Sequence, residues 1–266
     1  MNHRPKKRFG QNFLRDKSVV DRILRAAELQ PTDRVLEIGP GLGALTDHLL
    51  PRVGRLHVME VDRDLITGLQ ARQAPNLTVH AGDALRLDWD AVLTAGSFKL
   101  VANLPYNISS QILFKLLDHR QHFSRAVLMF QKEVGDRICS PAGNRDYGAL
   151  SVFCQLWFDI HQVMLVPPGA FFPPPKVTSV VLLFESLTQP RVAVTDERFF
   201  RRVVKGAFAQ RRKTLRNNLL AAGFGFTGLD RELAANDIDP GRRGETLDLG
   251  EFARLTEILY PHFAGD

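Results

Sequence analysis

The stretch Asn103-Leu104-Pro105-Tyr106 closes an apolar run, Lys99-Leu100-Val101-Ala102. An Asn carbonyl, a proline-fixed turn and an aromatic ring at a strand end suit the gripping of a planar ring that bears an exocyclic NH2. The lone pair of such a nitrogen is conjugated into the ring, which makes it a poor nucleophile. Acceptors at Asn103 Oδ1 and at a backbone carbonyl near Pro105 would take both N–H bonds and favour a pyramidal nitrogen with its lone pair freed. Proline helps, since it has no N–H of its own and a fixed φ. Tyr106 offers a face on which a base can stack. The plain alternative is a strand-end turn in which Asn and Pro only punctuate the chain.

A second group of residues lies upstream. Glu37-Ile38-Gly39-Pro40-Gly41-Leu42-Gly43-Ala44 stands between a predicted strand and a predicted helix. Glycines there let backbone approach a ligand, because no Cβ intrudes. The spacing satisfies G-x-G-x-x-[G/A] with Ala44 last, so it admits a dinucleotide. Glu60, about 20 residues on, ends the second predicted strand, where a carboxylate takes two ribose hydroxyls. Asp83, in Gly82-Asp83-Ala84, ends the third, and a carboxylate there can accept from an adenine amino group. Taken singly, these are equally a tight turn, a solvated strand end and a helix cap. In order, and at the carboxyl ends of successive strands, they predict a nucleoside cofactor. NAD fits the glycines and Glu60. S-adenosylmethionine fits those and also employs Glu37, Asp83 and the motif at Asn103, and that acceptor motif favours it.

Alternating elements must position these groups. Residues 34–39, 56–61, 77–81, 99–103 and 126–130 read as short strands, mostly buried on both faces. Residues 42–50, 63–72 and 110–120 read as helices between them, the last with Ile112, Leu113, Leu116 and Leu117 on one face. Such alternation predicts a parallel, doubly wound α/β sheet. Residues 17–29 read as a helix before the first strand. The apolar runs 157–166 and 179–184 are expected to form an antiparallel pair at one sheet edge, joined by the loop 167–175. The character changes after Thr188. Thr195 or Asp196 is a plausible N-cap, and Phe200, Val203, Val204, Ala207 and Phe208 recur at helical spacing. Gly223 and Gly225 close that helical region. Asp248 to Glu251 fits a capping box ahead of Phe252, Leu255, Ile258 and Leu259. The expected domains are 1–194, the sheet with a basic N-terminal segment, and 195–266, all helical.

Bulk composition narrows the class. The chain has 266 residues, 44% hydrophobic and 24% charged, ordinary values for a globular protein. No apolar run reaches membrane-spanning length, and the basic N-terminus has no apolar region behind it, so a signal peptide is not expected. Cys139 and Cys154 form no CxxC, and the eight His show no ligand spacing, so no metal is expected. A cytoplasmic location follows as the default for a chain with two cysteines. Net charge is +6, concentrated in two places. Residues 1–17 carry Arg4, Lys6, Lys7, Arg8, Arg15 and Lys17 against one acid, Asp16. Residues 196–216 carry eight Lys and Arg, including Arg211, Arg212, Lys213 and Arg216, against Asp196 and Glu197. A slightly acidic body with two basic patches is the footprint of a polyanion binder, here nucleic acid. The competing account is a solvated helix face plus a loose tail.

These residues together resemble the ribosomal RNA adenine dimethylase family, most of all its bacterial small-subunit branch. The likeness covers nearly the whole chain. It is carried by Lys7-Arg8-Phe9-Gly10-Gln11-Asn12-Phe13-Leu14, residues 37–46, Glu60-Val61-Asp62, Gly82-Asp83-Ala84, residues 103–109, Gln131-Lys132-Glu133-Val134, residues 147–152, residues 167–179 and residues 210–217. The resemblance implies a Rossmann-like, S-adenosylmethionine-dependent methyltransferase sheet of seven strands with a small helical RNA-binding domain. It implies dimethylation at N6 of two adjacent adenosines near the 3′ end of small-subunit ribosomal RNA, naked or in a pre-30S particle, by a monomer with no membrane or protein partner. It implies cofactor contacts at Asn12, Leu14, Glu37, Gly39, Gly41, Glu60, Asp83 and Asn103. Asn103, Leu104, Pro105 and Tyr106 would hold the target adenine, with Phe171 over its other face and Phe172 one register away. RNA would be held by Arg211, Arg212, Lys213 and Arg216 and by Lys6, Lys7 and Arg8. The nearest alternative is the large-subunit adenine methylase of the macrolide-resistance type. An NAD-dependent oxidoreductase would need a hydride-site acid or base that no residue offers. A non-catalytic assembly factor would not need Glu60, Asp83 and Asn103.

Overall fold

The computed structural model describes residues 5–6, 9–94 and 96–263. The described residues up to Gly135, together with Asp159–Ser186, form one compact unit, and Asp136–Phe158 with the described residues from Leu187 onward form a second. Lys7 and Arg8, expected to hold RNA, lie outside the described residues.

The first unit begins with a two-residue strand, β1 (Phe13–Leu14), and helix α1 (Lys17–Ala27). Asp16 caps α1 by accepting from the Ser18 and Val19 N–H groups, and Val19, Val20, Ile23, Leu24 and Ala27 bury one stripe. That stripe packs on strands of the main sheet. The sheet follows with β2 (Arg34–Ile38), β3 (Arg55–Glu60), β4 (Leu77–Ala81), β5 (Phe98–Asn103), β6 (Phe123–Gln131), β7 (Phe158–Val166) and, after the short strand β8 (Phe171–Phe172), β9 (Ser179–Ser186). Their order is β4-β3-β2-β5-β6-β9-β7. The first five pair in parallel and β9 runs antiparallel to β6. The sheet is Rossmann-like and mostly parallel, as the alternation of apolar runs predicts.

One local expectation is met and another changes. β9 and β7 are neighbours at one edge of the sheet, as expected, with β9 next to β6 and β7 outermost. Burial explains this: Val180, Val181, Leu182 and Phe184 are all at most 1% exposed, whereas β7 buries only Phe158, Met164 and Val166 of its nine residues. A strand covered on both faces belongs inside a sheet. The expected helix over 42–50 shrinks to α2 (Thr46–Leu49) with a 3-10 turn over Leu50–Arg52, because the preceding glycines hold positive φ and Pro51 lacks an N–H. The helices after β3 and β5 are α3 (Arg63–Gln70) and α5 (Ser109–Asp118), with the single turn α4 (Trp89–Val92) between them.

The second unit is helical. It takes in α7 (Ala149–Trp157), α8 (Glu197–Ala207), α9 (Leu215–Ala221), α10 (Leu229–Ala235) and α11 (Leu249–Phe263); α6 (Lys132–Cys139) crosses the boundary. The single boundary expected at 194/195 does not describe the units. α7 packs on α8, and Leu187 and Arg191 donate their N–H groups to Trp157 and Leu156 at the end of α7, which draws 136–158 and 187–194 to the helical side. Asp196 caps α8, whose Phe199, Phe200, Val203, Val204 and Ala207 are buried. Asp248 and Glu251 bond each other's N–H groups reciprocally, the expected capping box at the start of α11. Among the described residues no helix is long and apolar enough to cross a membrane.

Candidate active site

The carboxyl ends of β2, β3, β4 and β5 surround a cavity of about 270 Å³. Asn12, Leu14, Glu37, Gly39, Gly41, Glu60, Asp83 and Asn103 all line it, as do Leu104, Pro105 and Tyr106. The parallel register brings together those at positions 37 to 106, and the segment leading into and through β1 adds Asn12 and Leu14. The glycines serve wall-to-wall packing as much as ligand access. Gly39 and Gly41 hold φ of +66° and +61°; a Cβ would come 3.2 Å from the Pro105 ring at the first and 3.0 Å from the Phe13 ring at the second. Only glycine accepts both the conformation and the contact.

Three carboxyl groups stand in the wall. Glu37 is 1% exposed and accepts from Thr46 Oγ1 at 2.7 Å. Burial pushes its pKa up to about 8, against the pull of the Thr46 bond and the Arg72 charge. Glu60 is also raised by burial, opposed by main-chain donors. Its Oε1 accepts from the Val61 and Asp62 N–H groups at 2.9 Å each, and Oε2 from Gly41 N–H at 3.3 Å. Asp83 Oδ1 accepts from Leu85 N–H at 2.9 Å, an Asx turn that leaves Oδ2 toward solvent and Arg86. Among the described residues the cavity wall includes no Lys, Arg or His. A dinucleotide's pyrophosphate would meet acidic side chains and no counter-charge from these residues, while Gly41 N–H, the group a phosphate would use, is spent on Glu60. S-adenosylmethionine carries a sulfonium and an ammonium against one carboxylate, and this acidic, partly apolar wall suits it.

The acceptor motif is oriented by main-chain atoms. Asn103 Nδ2 donates to the Asn12 carbonyl at 3.2 Å, so Oδ1 is the amide atom left without a partner among the described residues. The Pro105 carbonyl accepts from Ile108 N–H at 3.1 Å and the Tyr106 carbonyl from Ser109 Oγ at 3.1 Å. No hydrogen bond reaches the Leu104 carbonyl among the described residues. Two acceptors thus remain side by side, Asn103 Oδ1 and Leu104 O. The Tyr106 ring stands beside them on the wall, half-buried, and burial raises its hydroxyl pKa.

Other expected residues fall elsewhere. Phe171 is 4% exposed, packs in the core cluster with Leu14 and is not among the residues lining the cavity. Phe172 is 46% exposed, pairs with Phe13 across β1 and β8, and carries the Arg15 guanidinium 4.1 Å above its ring. Lys6 is held by Asp62 and Asp64 at 2.6 Å each, an internal tie at odds with a phosphate contact. In the helical unit Gln210, Arg211, Arg212 and Lys213 line a small hollow. Arg216 is bonded by both oxygens of Asp230 at 2.8 Å, and Arg211 lies 3.5 Å from Glu245. Arg212 and Lys213 have no ion-pair partner among the described residues. Sequence reading missed Thr46, Asp62, Ser179 and Asn218, which hold Glu37, Glu60, Tyr106 and the basic loop respectively. None carries a signal of its own, because each acts through a partner supplied by the fold. Among the described residues no group of three or more His, Cys, Asp or Glu is placed to hold a metal.

Comparison with known proteins matches this arrangement to one family. The sequence profile described as ribosomal RNA adenine dimethylase aligns with residues 2–259. The chain belongs to the ribosomal RNA adenine dimethylase family. Among its relatives, "ribosomal RNA small subunit methyltransferase A" of Syntrophotalea carbinolica is 68% identical, over 99% of this chain and 100% of that one. The protein of the same name from Geobacter metallireducens is 51% identical over 96% of each. Among solved structures, a dimethyladenosine transferase from Plasmodium falciparum superposes with a TM-score of 0.79 at 28% identity, covering 95% of this chain and 98% of that one. The 23S rRNA methyltransferase ErmE gives 0.70 at 26%, covering 93% and 99%. The protein is an adenine dimethylase of ribosomal RNA that uses S-adenosylmethionine as methyl donor.

Proposed function

We propose that this dimethylase acts on the small ribosomal subunit, converting two adjacent adenosines near the 3′ end of its RNA to N6,N6-dimethyladenosine. The observation that carries the chemistry is the pair of unpartnered acceptors, Asn103 Oδ1 and Leu104 O. Two acceptors match the two N–H bonds of an adenine amino group. Gly39 and its loop would border the methionine part, Glu60 the ribose and Asp83 the adenine of the donor. S-adenosylmethionine supplies an electrophilic methyl carbon. Asn103 and Leu104 aim the target nitrogen's lone pair by accepting its hydrogens, and Tyr106 stacks the base. Their main contribution is positioning and acceptor dipoles fixed before the reaction. The nitrogen becomes acidic once alkylated and releases its proton to water, so no side chain needs to act as base.

The acidic wall favours this reading over an NAD-dependent oxidoreductase. Small-subunit specificity is favoured over the macrolide-resistance type by the names and identities of the most similar relatives. We further read Arg212 and Lys213 as the phosphate contacts of the helical unit, and the protein as a cytoplasmic monomer. The deciding experiment incubates the protein with labelled S-adenosylmethionine and purified small or large subunits lacking the modification, then maps the label by mass spectrometry. Label at adjacent adenosines near the 3′ end of small-subunit RNA is the expected result; label confined to large-subunit RNA overturns it. Sedimentation of the purified protein checks the monomer.

A further inference from the structure

We propose that Ser179 is a positioning residue for base binding: its hydroxyl sets the plane of the Tyr106 ring. The inference rests on Tyr106 being the platform for the target adenine. The Tyr106 hydroxyl lies 2.5 Å from Ser179 Oγ. Ser179 is fully buried at the first position of β9, opposite Gln131 of β6, in the otherwise apolar run Ser179-Val180-Val181-Leu182-Leu183-Phe184. A hydroxyl in such a run costs stability unless it is bonded. Its side-chain hydrogen bond, among the described residues, goes to Tyr106.

The backbone end of Tyr106 is already fixed. Pro105 restricts the turn, its carbonyl accepts from Ile108 N–H, and the Tyr106 carbonyl accepts from Ser109 Oγ. What remains free is rotation about the two side-chain torsions. A bond from the ring's far end to an interior strand of the sheet removes that freedom. The ring is then held at both ends in a residue that borders the cavity, as a stacking platform requires. An incidental core tyrosine would not border a cavity beside two free acceptors. Ordering a side chain before binding, rather than during it, is worth about 3- to 10-fold in affinity or rate.

The test is a double-mutant cycle on Ser179→Ala and Tyr106→Phe, reading methyl transfer and the fluorescence of a substrate RNA with 2-aminopurine at the target position. S-adenosylhomocysteine calorimetry counts the folded, competent sites in each variant. We expect each single variant to lower kcat/KM for RNA about 3- to 10-fold with S-adenosylhomocysteine affinity unchanged, and to weaken the stacking signal. The double variant should be no worse than either single one, because both remove the same bond. Wild-type kcat/KM in Ser179→Ala overturns the proposal, as do independent, multiplying losses in the double variant. Tyr106→Ala separates the premise. If it alone leaves kcat/KM intact, the platform reading fails; if it is defective while Ser179→Ala and Tyr106→Phe are not, only the role of Ser179 fails.

Discussion

Asn103 and Glu37 bring opposite properties to the cavity, one an acceptor that never ionises, the other a carboxyl that burial keeps protonated. With Nδ2 committed to the Asn12 carbonyl, Asn103 presents oxygen. Asn103→Ala should lower turnover by about 10²–10³ with donor affinity within a few-fold, the scale for removing one preorganised transition-state hydrogen bond. Single-turnover kinetics at saturating RNA checks it, and an unchanged rate removes Asn103 from the chemistry. Burial lifts the folded pKa of Glu37 to about 8 from an ordinary 4.5, so between those values the folded state holds a proton that the unfolded chain has released. Stability of the donor-free protein therefore falls as pH rises through that window and levels off above it. Glu37→Gln cannot ionise and should flatten the slope. Melting temperatures of both proteins across that range test this, and a difference that does not change with pH would show Glu37 ionised in the fold.

At the scale of elements, the short β1–β8 pair decides which of two aromatic rings is buried and which is exposed. Its register sets Phe171 opposite Leu14 and Phe172 opposite Phe13. Phe171→Ala should destabilise the fold by about 3–5 kcal/mol, as for other buried Phe truncations. Phe172→Ala should leave stability nearly unchanged and weaken a stacking step by about 1–3 kcal/mol. Denaturant unfolding and methyl-transfer assays separate the two. A stable Phe171→Ala that fails only in transfer would return the base-covering role to Phe171. These strands also mark how far sequence reading reaches. Gly39, Glu60, Asp83 and Asn103 were legible because each is a distinctive residue at the carboxyl end of an apolar run, and parallel sheets collect such ends at one edge. The insertion of β9 between β6 and β7 was not legible, since periodicity reports burial and not strand order. Nor was the bond from Ser179 to Tyr106, which joins positions 73 apart. Helix α7 hid in a run too apolar to show an amphipathic stripe.

For the molecule as a whole, charge is divided by task. The cavity of the sheet unit is walled by carboxyl groups, while the helical unit carries a basic loop between α8 and α9. Asn218, 1% exposed, braces that loop by donating to the Ala207 and Gln210 carbonyls and accepting from Gln210 N–H. Of the loop's three cations and Arg216 in the first turn of α9, Arg211 and Arg216 have acidic neighbours, and Arg212 and Lys213 have none among the described residues. Replacing Arg212 and Lys213 by Gln should flatten the slope of log affinity for RNA against log salt by about 0.7–0.9 per residue. Donor affinity should not change. Arg216→Gln should act on melting temperature more than on that slope, and Lys6→Gln should leave the slope alone. Filter binding across a salt series checks all three, and an unchanged slope in the double variant would place RNA contact elsewhere.

Much of the reactive geometry is written in atoms that every residue type carries. The Asn12 carbonyl orients the Asn103 amide, the Leu104 carbonyl is left without a hydrogen bond among the described residues, and the N–H groups of Gly41, Val61 and Asp62 hold Glu60. A codon change at 12, 61 or 104 alters a side chain and leaves the carbonyl or N–H in place, proline at 61 excepted. For these particular contacts, heritable loss therefore has a small target. It must strike Asn103 or Glu60 itself, or bend the backbone that carries the main-chain groups, and most single-base changes at 12, 61 and 104 do neither.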